Sequence, residues 1–170
     1  MNQKLNLILI IGSVAILTAI IVLAGALSGN SQNSSLVYSN SVLAAENNNY
    51  DFGIISMANG NVSYKFKLKN EGDEKIIIKK VYTSCMCTTA AIIGENGKKL
   101  GDFGMPGHGD DSAKANIEIP VGEIFIVETI FNPAAHGPEG IGKVKRLVYL
   151  ETNSKTKPKI QLEIEAEVIK

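Results

Sequence analysis

Residues 160–168 read Ile-Gln-Leu-Glu-Ile-Glu-Ala-Glu-Val. Every second residue is apolar, and those between are glutamate or glutamine. Successive side chains of a β-strand point to opposite faces, so this stretch has one apolar and one charged face. Residues 62–69, Val-Ser-Tyr-Lys-Phe-Lys-Leu-Lys, repeat the pattern with lysine outside. Working outward, residues 74–83, 123–131 and 142–152 are rich in Ile and Val and alternate less cleanly, as more deeply buried strands do. Residues 50–55 read as a short leading strand. Turn chemistry separates these runs: Asn70-Glu71-Gly72-Asp73, Pro120-Val121-Gly122 and Asn153-Ser154. No part of 50–170 has a helical period. The spacing predicts an all-β fold, an immunoglobulin-like β-sandwich of about seven strands. Trp is absent and the two cysteines are one residue apart, which excludes the antibody-type core disulfide.

Upstream the composition changes. Residues 5–27 carry no charge and are dominated by Leu, Ile, Val and Ala. As a helix they span roughly 34 Å at ~1.5 Å per residue, enough to cross a hydrocarbon core. A cleaved signal peptide, with an apolar run of about 7–15 residues, is the main rival. Lys4 precedes the run and no further Lys or Arg occurs before Lys65. The positive-inside bias then predicts a single-pass membrane protein: residues 1–4 cytoplasmic, 5–27 a signal-anchor helix, the rest extracytoplasmic. Residues 28–49, rich in Ser and Asn, read as a flexible linker to the 50–170 domain.

Charge narrows the function. Lys and Arg total 17, Asp and Glu 17, interspersed along the domain as on a solvated surface. That argues against nucleic acid as a partner and against a polybasic membrane patch. There is no P-loop, Rossmann glycine fingerprint, zincin, hydrolase or kinase motif. A Cys–His nucleophile lacks any sign of an oxyanion hole, and its second thiol would trap it, so no enzyme activity is expected. Asp110-Asp111 is read as a solvated loop pair.

Several short stretches resemble one bacterial family. Tyr50-Asp51-Phe52-Gly53 resembles the opening strand of the family called domain of unknown function 1573. Phe66-Lys67-Leu68-Lys69-Asn70-Glu71-Gly72 resembles its F-x-x-x-N-x-G strand and turn. Ser84-Cys85-Met86-Cys87-Thr88 resembles its Ser-Cys-Gly-Cys-Thr signature, and Ile119-Pro120-Val121-Gly122-Glu123 its Pro-Gly-Glu turn. The resemblance covers nearly all of 50–170 and implies a sandwich of the major-sperm-protein type. It implies no biochemical role. Met86 departs from the signature glycine, and residues 94–114 form a long glycine-rich excursion.

The chemistry concentrates in Cys85-Met86-Cys87. On an extended strand residues i and i+2 share a face with α-carbons roughly 6.6 Å apart. A disulfide usually needs them closer than ~6.8 Å with β-carbons near ~3.8 Å, so a Cys85–Cys87 bond requires a local bend. Two thiolates can instead chelate one ion. With the only two histidines, both in Gly/Pro-rich loops, the expected metal ligands are Cys85, Cys87, His108 and His136. Met86 and Met105 are the weaker candidates. Thiolate, thioether and imidazole suit Cu(I) best and Zn(II) next. Buried structural cysteines and a redox-active pair are the alternatives. The expected function is therefore an extracytoplasmic copper-binding domain; the alternative is a non-enzymatic module with structural cysteines that binds a protein at the cell surface. His136 reaches the cysteines only if the number of strands between residues 87 and 123 brings it to their end of the fold.

Overall fold

The structure, a computed structural model, describes residues 38–107 and 113–170. Among these residues ten strands run in chain order: β1 (Leu43–Ala45), β2 (Asn49–Ser56), β3 (Val62–Asn70), β4 (Ile76–Thr83), β5 (Thr88–Ile93), β6 (Lys99–Phe103), β7 (Lys114–Ile119), β8 (Ile124–Phe131), β9 (Gly142–Thr152) and β10 (Lys159–Ile169). They form two five-stranded sheets, ordered β1-β3-β8-β5-β6 and β2-β10-β9-β4-β7. All pairs are antiparallel except β2 with β10.

The alternating stretches behave as their pattern demands. Ile160, Leu162, Ile164, Ala166 and Val168 are all buried, as are Phe66 and Leu68. One core cluster joins the sheets, with Phe66, Leu68, Phe125 and Val127 from the first and Ile76, Ile78, Leu150 and Leu162 from the second. Burying such side chains contributes about 1.5–3 kcal/mol each, which makes this cluster the main source of stability.

The expectation of about seven strands is corrected to ten. Four were missed: β1, β5 and β6 carry no clean alternation, and β7, which does alternate, is short and follows directly on the glycine-rich excursion. β5 follows the cysteines directly and reads Thr-Thr-Ala-Ala-Ile-Ile, so no polar/apolar alternation marks its inner face of Thr88, Ala90 and Ile92 from the outer face, where Thr89 is exposed. β6 and β7 lie in or beside the glycine-rich excursion; each is a short sheet edge. β1 has three residues inside the segment expected to be a linker. There, Ser39 and Ser41 are buried rather than solvated: Ser39 N–H donates to Asn153 O (3.0 Å), and Ser41 Oγ accepts from Glu74 N (2.8 Å). Gly72 makes room for this packing, since a β-carbon there would overlap Ser41.

The transmembrane helix expected ahead of the sandwich is not supported: among the described residues no helix is long and apolar enough to cross a membrane, and the only helical segments are the single 3-10 turns Met57–Asn59 and Gly137–Gly140. Residues 5–27 lie outside the described residues, as does His108.

Candidate functional site

The order of strands decides what meets the cysteines. β4 belongs to the second sheet and β5 to the first, so residues 84–87 carry the chain from one sheet to the other. β5 leads away from this end, β6 returns, β7 leads away and β8 returns, pairing Thr88 with Phe131. Three strands thus separate residue 87 from residue 123, and the β8–β9 crossover with His136 arrives back beside the cysteines. The β6–β7 crossover is rooted here as well: Thr83 N–H donates to Gly104 O (3.1 Å), and Val81 N–H to Ala113 O (2.8 Å).

Cys85 and Cys87 are joined as a disulfide, with α-carbons 5.3 Å apart, shorter than an extended strand allows. They occupy a turn, not a strand. Thr88 N–H donates to Cys85 O (3.1 Å), and Thr83 Oγ1 lies 3.0 Å from Cys85 O and 2.9 Å from Thr88 O. Ser84 locks the turn to β9 twice: its N–H donates to Leu147 O and its Oγ accepts from Leu147 N, both 2.9 Å. Met86 sits at the tip, 55% exposed, and among described non-glycine residues only Asn116 has a left-handed φ. The turn therefore runs without the glycine of the family signature.

The two sulfurs differ. Cys87 is 3% exposed and part of the core cluster, whereas Cys85 is half-buried and packs on its edge. A disulfide sulfur carries no hydrogen, so every hydrogen bond to it has sulfur as acceptor. Cys85 Sγ faces His136 Nε2 at 3.2 Å and the Cys87 N–H at 3.4 Å. Cys87 Sγ faces Arg146 Nε at 3.1 Å and Thr88 Oγ1 at 3.7 Å. Two N–H donors, a hydroxyl and an imidazole converge on two sulfurs. The ligand atoms of Cys85, Cys87 and His136 all lie within 4.8 Å of one another.

The loop bearing His136 is fixed by its own turn bonds. Asn132 N–H donates to Cys87 O (2.9 Å), and Asn132 Oδ1 accepts from Ala134 N (3.0 Å). Gly140 packs on the His136 side chain; a β-carbon there would stand 3.3 Å from His136 Cβ. Met105 is half-buried beside the root of the β6–β7 crossover.

Arg146 is the site residue that sequence reasoning missed. It comes from β9, with its guanidinium over the Phe131 ring (5.9 Å) and Nη1–H donating to Lys145 O (2.9 Å). Partial burial pulls its pKa below the ordinary value. Its neighbour Lys145 is paired with Glu163 and Glu165, but among the described residues no carboxylate pairs with Arg146. One signal was available: Arg146 is the only arginine in the chain.

No curated protein matches the sequence. Among solved structures the chain is similar to a protein of unknown function from Porphyromonas gingivalis W83, at TM-score 0.55 and 14% identity. That likeness covers 79% of this chain and 51% of the other. A secreted serine protease, VesC from Vibrio cholerae, matches at TM-score 0.46 and 13% identity, over 74% of this chain and 23% of that one. The CooA pilin subunit from enterotoxigenic Escherichia coli matches at TM-score 0.40 and 10% identity, over 78% and 100%. The chain thus spans about half of the first of these and under a quarter of the second. At such identities only the first likeness carries weight, and it speaks to the β-sandwich fold alone. Residues 43–99, which include the cysteine turn, match the model of the family described as protein of unknown function (DUF1573), which supports the resemblance carried by the sequence motifs.

Proposed function

We propose that the reduced Cys85–Cys87 pair, together with His136, binds one Cu(I) ion. The observation that carries this reading is the convergence of two sulfurs and one imidazole nitrogen within 4.8 Å. The donor set fits a soft monovalent cation, for which two thiolates and an imidazole suffice. Arg146 supports Cu(I) over Zn(II) on charge. Two thiolates around Cu(I) leave one net negative charge, which the guanidinium beside Cys87 offsets. The same ligands around Zn(II) are already neutral, and structural zinc takes a fourth ligand. His108 lies outside the described residues and is not needed for the Cu(I) set.

The test is anaerobic titration of the reduced chain with Cu(I) against a competing chelator. One ion per chain is expected. Cys85→Ser and Cys87→Ser each nearly abolish binding, and His136→Ala weakens it less, leaving two thiolates. The oxidised chain serves as an internal control, since the disulfide removes both thiolates. Equal copper uptake by wild type and the double Cys→Ser variant defeats the reading.

A second reading is favoured by the burial of Cys87 in the core cluster. On it the disulfide is structural and the domain is a non-enzymatic interaction module. It expects inert sulfurs in the folded chain, with or without copper.

A further inference from the structure

We propose that the Cys85–Cys87 disulfide is a thiol–disulfide exchange centre that accepts two electrons from a dithiol, with Cys85 the sulfur attacked, Cys87 the sulfur that leaves, and Arg146 the residue that sets this direction. The proposal needs no metal and does not rest on the copper reading.

Access selects the attacked sulfur. In exchange the incoming thiolate approaches one sulfur opposite the bond that breaks. Cys85 borders solvent beside the exposed Met86, while Cys87 is 3% exposed. A thiolate arriving from solvent meets Cys85 with Cys87 behind it. Attack on Cys87 would have to come through the core.

Charge selects the leaving sulfur. Arg146 is half-buried and has no carboxylate partner among the described residues, yet Nε–H is aimed at Cys87 Sγ at 3.1 Å. A neutral disulfide sulfur is a poor partner for a partly desolvated cation, whereas a thiolate is a strong one. Thr88 Oγ1 adds a second donor to the same sulfur. The arrangement therefore stabilises the negative charge that appears on Cys87 as the bond breaks. The Cys87 N–H, and His136 in its Nε2–H tautomer, play the same part for Cys85 in the second step.

The chemistry balances as follows. One thiolate of the donor forms a bond to Cys85 Sγ; the Cys85–Cys87 bond breaks and its electron pair leaves on Cys87 Sγ. The donor's second thiolate attacks its own sulfur in this mixed disulfide and expels Cys85 as thiolate. The donor is oxidised by two electrons to a disulfide, the chain's disulfide is reduced to two thiols, and the donor's two protons finish on Cys85 and Cys87.

The experiment uses the full-length oxidised chain, in buffer with metal chelators, so that it succeeds or fails independently of copper. A limiting monothiol is added, the freed thiol is alkylated at once, and the modified sulfurs are located by mass spectrometry. The expected result is the monothiol on Cys85 and the alkyl group on Cys87. Rates with excess dithiothreitol should fall about tenfold in Arg146→Gln and recover in part in Arg146→Lys, which keeps the charge. A reduced protein bearing a Cys-x-x-Cys pair is run beside dithiothreitol. A rate per thiolate well above that of dithiothreitol assigns the donor to the protein class, and equal rates assign it to small dithiols. Three results overturn the proposal: the monothiol on Cys87, equal rates in wild type and both Arg146 variants, or a disulfide reduced only after the chain is unfolded in urea. Thiols freed as proposed that then fail to bind Cu(I) would refute the copper reading alone.

Discussion

The two ends of the sandwich both gather polar groups, and they use them in opposite ways. At the end away from the cysteines, Asn70 is wholly buried. Its side-chain amide donates to Glu74 O (2.9 Å), Pro120 O (3.0 Å) and Ile119 O (3.1 Å), and its Oδ1 accepts from Gly72 N (3.1 Å). Every partner is a neutral main-chain group in a turn or at the end of β7. At the cysteine end, a guanidinium, an imidazole, a hydroxyl and an amide N–H point at two sulfurs that, as a disulfide, are weak acceptors. The Asn70 end is complete as it stands. The cysteine end has more donor capacity than its oxidised form uses, and it would be satisfied by negative charge on sulfur.

If that contrast is sound, Asn70 carries architecture and the disulfide carries little. Asn70→Ala leaves several turn carbonyls without a partner and should cost about 2–4 kcal/mol, in the range for disrupting a buried network. Urea denaturation measures it. The thiol chemistry of Cys85 and Cys87 should be unchanged, because the Asn70 turns lie at the other end of the sheets. A loss below about 0.5 kcal/mol, within the scatter of surface substitutions, would end the assignment of Asn70 as a structural hub.

Reducing the disulfide should matter less. A bond that closes a ring over one intervening residue removes little chain entropy from the unfolded state. The chain-entropy rule gives about 1.5 kcal/mol for so short a loop. Comparing urea midpoints of the oxidised and reduced chain tests this. A loss comparable with that of Asn70→Ala would make the two ends alike, and the structural reading of the cysteines would gain. A small loss leaves the bond free to open without unfolding the sandwich, as both metal binding and exchange require.

How far the sequence could be read follows the same physics. β3 and β10 were legible because each has one buried and one solvated face, and only a strand satisfies that alternation. β5 was not, because Thr-Thr-Ala-Ala-Ile-Ile places the same residue types on its buried and its outer face. β1 was hidden by composition: Ser and Asn look like a solvated tether, yet Ser39, Ser41 and Asn153 make their hydrogen bonds inside the fold. The cysteine turn stood out by residue type and spacing. His136 did not follow from spacing, since its position depends on how many strands cross between residues 87 and 123. Arg146 was invisible as a ligand-type residue: the period of β9 sets it on the inner face with Val148 and Leu150, away from Glu163 and Glu165, but nothing local says that a sulfur lies there. Its being the lone arginine among many lysines is the clue, for a planar donor at a fixed site is what lysine does not supply.

The smallest expected effect concerns the docking of the leading segment at the Asn70 end. Glu74 accepts a hydrogen bond from Asn40 N–H (2.8 Å), while its own N–H donates to Ser41 Oγ (2.8 Å). The Asn40 N–H holds the Glu74 carboxyl below its usual pKa; Ser39 and Lys155 act in the same direction, against a weaker opposing effect of desolvation. A carboxylate whose folded pKa is depressed contributes stability above its unfolded pKa, and that contribution is lost as pH falls through the folded pKa. Residues 39–45 should therefore loosen only as pH falls below the ordinary glutamate range, while the two sheets stay paired. Glu74 is solvent-exposed, and screening keeps the effect modest. Glu74→Gln retains an acceptor for Asn40 but removes the charge. The variant should dock the segment at neutral pH and lose the acid response. Amide chemical shifts of residues 39–45, followed through an acid titration, report both. An identical profile in wild type and Glu74→Gln would show that some other carboxylate controls this edge, and the contrast between a finished end and a reactive one would then rest on Asn70 alone.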